Sequence, residues 1–164
     1  MPVTLLDVGR IADGRTSFVH SPGLWRPTLY EGAYRNGLRD GLWRASDAES
    51  HEPLWEITWS AGEWHGPARS WHLSGQLEHE GVYAHGERAG RWTYWFQNGR
   101  IAAEGHYAHD RKIGEWQYWD VRGNPMTYVD WEREHHDYDW AYDDYAGMPR
   151  GENWPEPPAG KPPS

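Results

Sequence analysis

Gly81-Val-Tyr-Ala-His-Gly-Glu-Arg-Ala-Gly-Arg-Trp-Thr-Tyr-Trp-Phe-Gln-Asn-Gly99 decides the fold, because the chain writes it nearly twice. The second version opens as Gly105-His-Tyr and closes as Gly114-Glu-Trp-Gln-Tyr-Trp-Asp-Val-Arg-Gly123. Tyr83 matches Tyr107, Gly90 matches Gly114, Trp92 matches Trp116, Tyr94 matches Tyr118 and Trp95 matches Trp119, each 24 residues on. A fixed period of this length means repeating supersecondary units, and it constrains the fold more strongly than local propensity does.

Two more copies lie upstream. The first starts near Leu29 and carries Tyr34, Gly37, Gly41 and Trp43. Its second Trp and last Gly are missing, so a looser loop is expected from Ala45 to Glu52. The second copy carries Trp59, Gly62, Gly66, Trp71 and Gly75, with Ala68 where the first Trp should stand. Downstream, a half-copy without its glycines begins at Trp131, 24 residues after Tyr107. The expected organisation is an N-terminal cap over 1–28, about four repeats of period 24 over 29–130, an acidic aromatic C-terminal cap over 131–146 and a Pro-rich flexible tail over 147–164. Terminal units of an array must be atypical, because they cover exposed strand edges. Val3 to Val8 and Thr16 to His20 are the candidate strands of the first cap.

Within a copy the runs are short and alternate. Gln76 to Ala84 and Gly90 to Gln97 read as strands joined by His85 to Ala89, and Asn98-Gly99 reads as a hairpin turn into Arg100 to Ala108. The class is therefore all-β: an elongated antiparallel meander of stacked β-hairpins, two strands per copy. Period-two alternation puts Trp92 and Tyr94 on one face and Arg91, Thr93 and Trp95 on the other. Ala103, Gly105 and Tyr107 share a face opposite Glu104 and His106.

Composition agrees. There are 13 Trp and 10 Tyr but only 2 Phe, with 19 Gly, a mixture that suits short strands and tight turns. No Cys is present, which removes disulfide scaffolds, thiolate zinc sites and thiol nucleophiles. No secretory signal or apolar span of about 20 residues is visible, so the expected location is cytoplasmic. The net charge of −9 argues against nucleic acid and against an anionic membrane as partners.

Glu31-Gly-Ala-Tyr-Arg-Asn-Gly-Leu-Arg-Asp-Gly-Leu-Trp43 follows the pattern Glu-Gly-x-Tyr-x-x-Gly-x-x-x-Gly-x-Trp, as does Glu80-Gly-Val-Tyr83 through Trp92. This pattern resembles the MORN-repeat family. The continuation Trp-x-x-Trp-x-x-x-Gly is similar to the bacterial variant labelled YwqK-type antitoxin. The resemblance covers roughly residues 29 to 131. It implies a single-layer twisted sheet of hairpins. It also implies a non-enzymatic protein-binding role, as an antitoxin or immunity protein that neutralises a cognate bacterial toxin by direct binding. The alternatives are a general scaffold or membrane-associated MORN module, and an enzyme with a His/Asp metal centre.

Chemistry finds little footing. The glycines recur at turn spacing rather than as a phosphate cradle. Ser60, Ser70 and Ser74 show no nucleophile-elbow pattern. His106-x-x-His109 and His135-His136-Asp137 meet no recognised ligand spacing. Glu31, Glu56, Glu80 and Glu104 recur once per copy, which marks scaffold rather than a catalytic carboxylate pair. No catalytic residue, metal or cofactor is expected.

Two features point to a protein partner. Trp71, Trp95 and Trp119 form a column opposite the main aromatic face. Cross-strand packing explains such a column, and so does an exposed interaction surface. Asp130 to Tyr145 holds seven acids against one base, Arg133, with Trp131, Tyr138, Trp140, Tyr142 and Tyr145 between them. Such a segment could plug the basic cleft of a protein toxin, or serve only as a cap. The partner-binding residues expected here are Trp71, Trp95, Trp119, Asp137, Asp139, Trp140, Tyr142, Asp143, Asp144 and Tyr145.

Overall fold

A computed structural model of the chain describes residues 14–21 and 26–134. It holds a single open antiparallel sheet in meander order. The strands are β1 (Gly14–His20), β2 (Thr28–Arg35), β3 (Leu38–Arg39), β4 (Gly41–Asp47), β5 (Pro53–Ser60) and β6 (Glu63–Trp71). Then come β7 (Leu77–Ala84), β8 (Glu87–Trp95), β9 (Ile101–Ala108), β10 (Arg111–Trp119) and β11 (Pro125–Met126), followed by one helix, α1 (Tyr128–Glu134). The short β3 pairs with β2 beside β4, and the other strands pair in the order in which they follow one another along the chain. The hairpin meander expected from the repeat is the observed architecture.

Two kinds of turn alternate. The tight ones are two-residue tips at Asn36-Gly37, Ala61-Gly62, His85-Gly86 and His109-Asp110. All eight residues sit at positive φ, for example 52° at His85 and 79° at Gly86. This is the type I′ geometry that matches strand twist. Asn98-Gly99 closes a wider turn, in which Phe96 N donates to Arg100 O at 2.8 Å and Gly99 N to Phe96 O at 2.9 Å. The join expected over His85 to Ala89 is therefore only two residues long, and β8 begins at Glu87 rather than Gly90.

Gly90 lies inside β8, at a bulge. Val82 faces Ala89 and Glu80 faces Thr93, so Gly90, Arg91 and Trp92 stand against the single residue Gly81. The bulge needs the left-handed backbone of Gly90, φ 66°, which glycine adopts without steric cost. Its effect is to swing the Trp92 ring across Gly81. A Cβ on Gly81 would stand 2.2 Å from that ring, and one on Gly105 would stand 2.3 Å from Trp116. Gly32 carries Trp43 in the same way. The indole N–H then donates to the carbonyl one residue past the glycine. The distances are 3.0 Å from Trp43 to Ala33, 3.2 Å from Trp92 to Val82 and 3.1 Å from Trp116 to His106.

One face of the sheet is thus its own core. Trp43, Trp55 and Trp92 are fully buried there, and Tyr83 and Tyr107 set their edges against neighbouring indoles at about 5 Å. The second copy solves the same slot by exchange. Ile57 takes the glycine position, and Ala68 opposite it takes the Trp position. Both are buried, so the slot is filled with its larger and smaller members swapped.

Two sequence expectations are corrected. Ala45 to Glu52 is not a loose loop: β4 runs on to Asp47 and a tight turn follows. The Asp47 carboxylate accepts the N–H groups of Ser50 and Glu49 at 2.9 Å each, and these bonds, with Arg26 beside them, hold it below the usual carboxylate range. The half-copy expected to begin at Trp131 is not built as part of the sheet; Trp131 sits in α1. Thr127 caps that helix, accepting from Asp130 N at 3.2 Å and donating to Asp130 Oδ2 at 2.6 Å. Trp131 is buried against Tyr118, 5.1 Å between ring centres, so α1 does close the aromatic face. Thr16 to His20 falls in β1, whereas Val3 to Val8 lies outside the described residues.

Placing Trp at position 68 should cost about 3 kcal/mol, because its ring would collide with Ile57. Adding Ile57→Gly should recover most of that loss, since it recreates the slot of the other copies. Urea denaturation of Ala68→Trp and of the double variant checks this; a double variant no more stable than the single one would refute the shared-slot account.

Candidate functional site on the outer face of the sheet

The face opposite the aromatic core is ordered by strand register. Glu31 faces Arg44, Arg44 faces Glu56, Glu56 faces Arg69, Arg69 faces Glu80, Glu80 faces Thr93 and Thr93 faces Glu104. One side chain per strand therefore forms a row across the array, alternating in charge from Glu31 to Glu80 and passing through Thr93 to Glu104. Arg44 Nε bonds Glu56 Oε1 at 2.7 Å, Arg69 Nε bonds Glu80 Oε2 at 3.2 Å, and Arg91 reaches into the row to bond Glu104. The Glu104 carboxylate raises the Arg91 guanidinium above its ordinary value. The guanidiniums ride outermost: Arg91 is 64% exposed and Glu104 beneath it 20%.

The Trp column borders this row. Trp71, Trp95 and Trp119 end β6, β8 and β10, and their register partners are Leu77, Ile101 and Pro125. All three indoles are half-buried, so the column is neither core nor fully open. On the other side of the row, Leu42 and Val82 are exposed. Arg69, Glu80, Arg91, Thr93, Trp95 and Ile101 line a shallow groove of about 400 Å³. A second groove of about 730 Å³ runs over Arg15, Glu31, Asp40, Leu42 and Arg44. Charged centre and apolar margins suit the surface to macromolecular contact.

The recurrent glutamates are thus salt-bridge partners. Glu56, Glu80 and Glu104 each hold a guanidinium, as scaffold residues would. Among the described residues, no group of three His, Asp or Glu is placed to hold a metal ion. His109 turns to Glu87, Nδ1 to Oε2 at 2.7 Å, rather than joining His106. His135 and His136 lie outside the described residues, as do Asp137, Asp139, Trp140, Tyr142, Asp143, Asp144 and Tyr145. Ser70 does meet a histidine, with Oγ 3.0 Å from His79 Nδ1, but it is completely buried and its hydroxyl is turned to Glu78 Oε2 at 2.8 Å. A substrate has no path to it, and no carboxylate orients the far side of the imidazole as a nucleophile relay requires.

Sequence reading missed one recurring element. Arg39, Arg88 and Lys112 each stand two residues before the bulge glycine and press against the aromatic face. The Arg39 guanidinium lies 5.0 Å from the Trp43 ring centre, that of Arg88 4.2 Å from Tyr107, and Lys112 Nζ 4.6 Å from Trp116. Arg88 also binds Asp110 of the next tip, through Nε and through its backbone N–H, at 2.9 Å each. The signal was available: a base recurs at that position in three copies, with Trp64 replacing it in the second.

No family model matches the chain, and no curated protein matches it. The likeness to MORN repeats therefore stands on the motif residues themselves.

Exposed ion pairs contribute about 0–1 kcal/mol each. Arg69→Glu should accordingly cost about 1 kcal/mol, and the exchange Arg69→Glu/Glu80→Arg should return it. Thermal and urea unfolding measure both. A loss several times larger would mean that the row holds the sheet together, and would remove the reason to see it as a surface for contact.

Proposed function

We propose that the chain is a non-enzymatic, MORN-like protein-binding repeat, acting as an antitoxin or immunity protein against a cognate protein toxin. The observation that carries the binding part is the outer face, where half-buried Trp71, Trp95 and Trp119 flank a row of exposed guanidiniums over half-buried carboxylates on a regular sheet. Indoles that are partly open and fixed on strands lose little freedom on binding, and such side chains dominate interface energies. The toxin part rests on the YwqK-type motif. The acidic segment with Asp137, Asp139, Trp140, Tyr142, Asp143, Asp144 and Tyr145 supplies charge that would speed capture of a basic partner.

The test is co-expression with the product of the adjacent gene, scored by growth rescue and co-purification. Two variant sets separate the surfaces: Trp71→Ala/Trp95→Ala/Trp119→Ala, and Asp137→Asn/Asp139→Asn/Trp140→Ala/Asp143→Asn/Asp144→Asn. Each should weaken binding tenfold or more, a loss of about 1.4 kcal/mol. Failure of the neighbour to bind would sink the antitoxin reading. Robust sedimentation with anionic vesicles would favour a membrane-associated module instead.

A further inference from the structure

The aromatic face carries a polar pair in its middle. Where β8 and β10 carry Tyr94 and Tyr118, β6 carries Ser70, and beside it on β7 stands His79. His79 lies between Ser70 and Tyr94 in the register and is 2% exposed. The Trp92 and Tyr94 ring centres are each 5.7 Å from its own. The Ser70 hydroxyl donates to Glu78 Oε2 at 2.8 Å, so the His79 Nδ1–H donates to Ser70 Oγ at 3.0 Å. His79 Nε2 is then a bare lone pair, buried and without a hydrogen-bond partner. His72 completes the cluster: its Nδ1 stands 3.5 Å from Glu78 Oε1, and its Nε2–H donates to the Trp95 carbonyl at 2.8 Å. Three strands, β6, β7 and β8, are tied through these four side chains.

We propose that this cluster is an acid-operated release in the middle of the array: a proton arriving at His79 Nε2 loosens β6, β7 and β8 from one another while the first hairpins stay closed. The closed form gives that proton no acceptor. Around the imidazole stand Ser70 from β6 and His72 just past its end, Glu78 from β7, and Arg88 and Tyr94 from β8, with the Tyr107 hydroxyl of β9 bonded to Arg88 at 3.2 Å. Glu78 is the one group among these that favours the proton; Arg88 and His72 oppose it. Burial dominates and pulls the imidazole down from 6.5 to about 4. An opened form binds the proton more readily than the closed one, so closed-state stability falls as pH drops from about 6.5 toward 4 and falls no further below that. The release reaches the outer face, because His72 holds the carbonyl of Trp95.

Hydrogen exchange of the full chain, corrected for intrinsic rates, reads this directly. Between about pH 7.5 and pH 5, protection of amides in β6–β8 should fall about thirtyfold more than protection in β2 and β4. In His79→Gln the difference should vanish. An equal fall in all strands, or a difference that survives in His79→Gln, overturns the proposal. Should that variant fail to fold, the NMR titration of His79 in the unaltered chain decides. An imidazole that titrates near 6.5 refutes the release, and one still neutral at about pH 5 supports it.

Discussion

Everything in this sheet depends on an indole lying across a glycine. A single layer of strands has no second layer to bury its apolar face, and it would ordinarily leave that face wet. Here the bulge glycine turns each Trp flat onto the neighbouring strand, the bare glycine lets the ring approach, and the indole N–H finds the next carbonyl. The ring then covers backbone, and Tyr83 and Tyr107 cover the ring. In three of the four copies Gly, bulge Gly and Trp convert a flat surface into a core one side chain thick, and in the second Ile57 and Ala68 fill the same place.

That arrangement divides labour between the faces. Constraints of shape fall almost wholly on the aromatic face, where a single methyl group has no room at Gly81. The outer face answers only to register and solubility. The row from Glu31 to Glu104 and the Trp column beside it are spaced by the strands, roughly 4.8 Å apart, whatever side chains stand there. Side chains on such a face can change without changing the fold.

Much of this was legible in the letters. The period, the two strands per copy and the division of faces follow from repetition and alternation, and the buried residues Trp92, Tyr94, Ala103 and Tyr107 fall where alternation puts them. What escaped depends on geometry that patterns do not carry. Gly90 reads as the first residue of a strand until the register shows a bulge. The missing second Trp after Trp43 suggested a broken copy, yet β4 pairs with β5 from Gly41 to Ser46 with one register shift after Ala45, and Tyr30 packs on Trp55 beside it. The helix at Tyr128–Glu134 was hidden by the period, although Thr127-Tyr-Val-Asp130 spells a capping box. Ser70 and His79 are unremarkable one at a time and become a cluster only across two strands. The acidic residues from Asp137 to Tyr145 lie outside the described residues.

The strict meander order has a kinetic meaning. Each strand pairs with those next to it along the chain, so every loop closed in folding is a short one, and the entropic cost of closure stays small at each step. Such a molecule resembles a zipper more than a globule: any hairpin can nucleate, and neighbours add one at a time. For a sheet protein, whose long-range pairings usually make folding slow, this is a route to rapid assembly from a nascent chain as each successive hairpin becomes available.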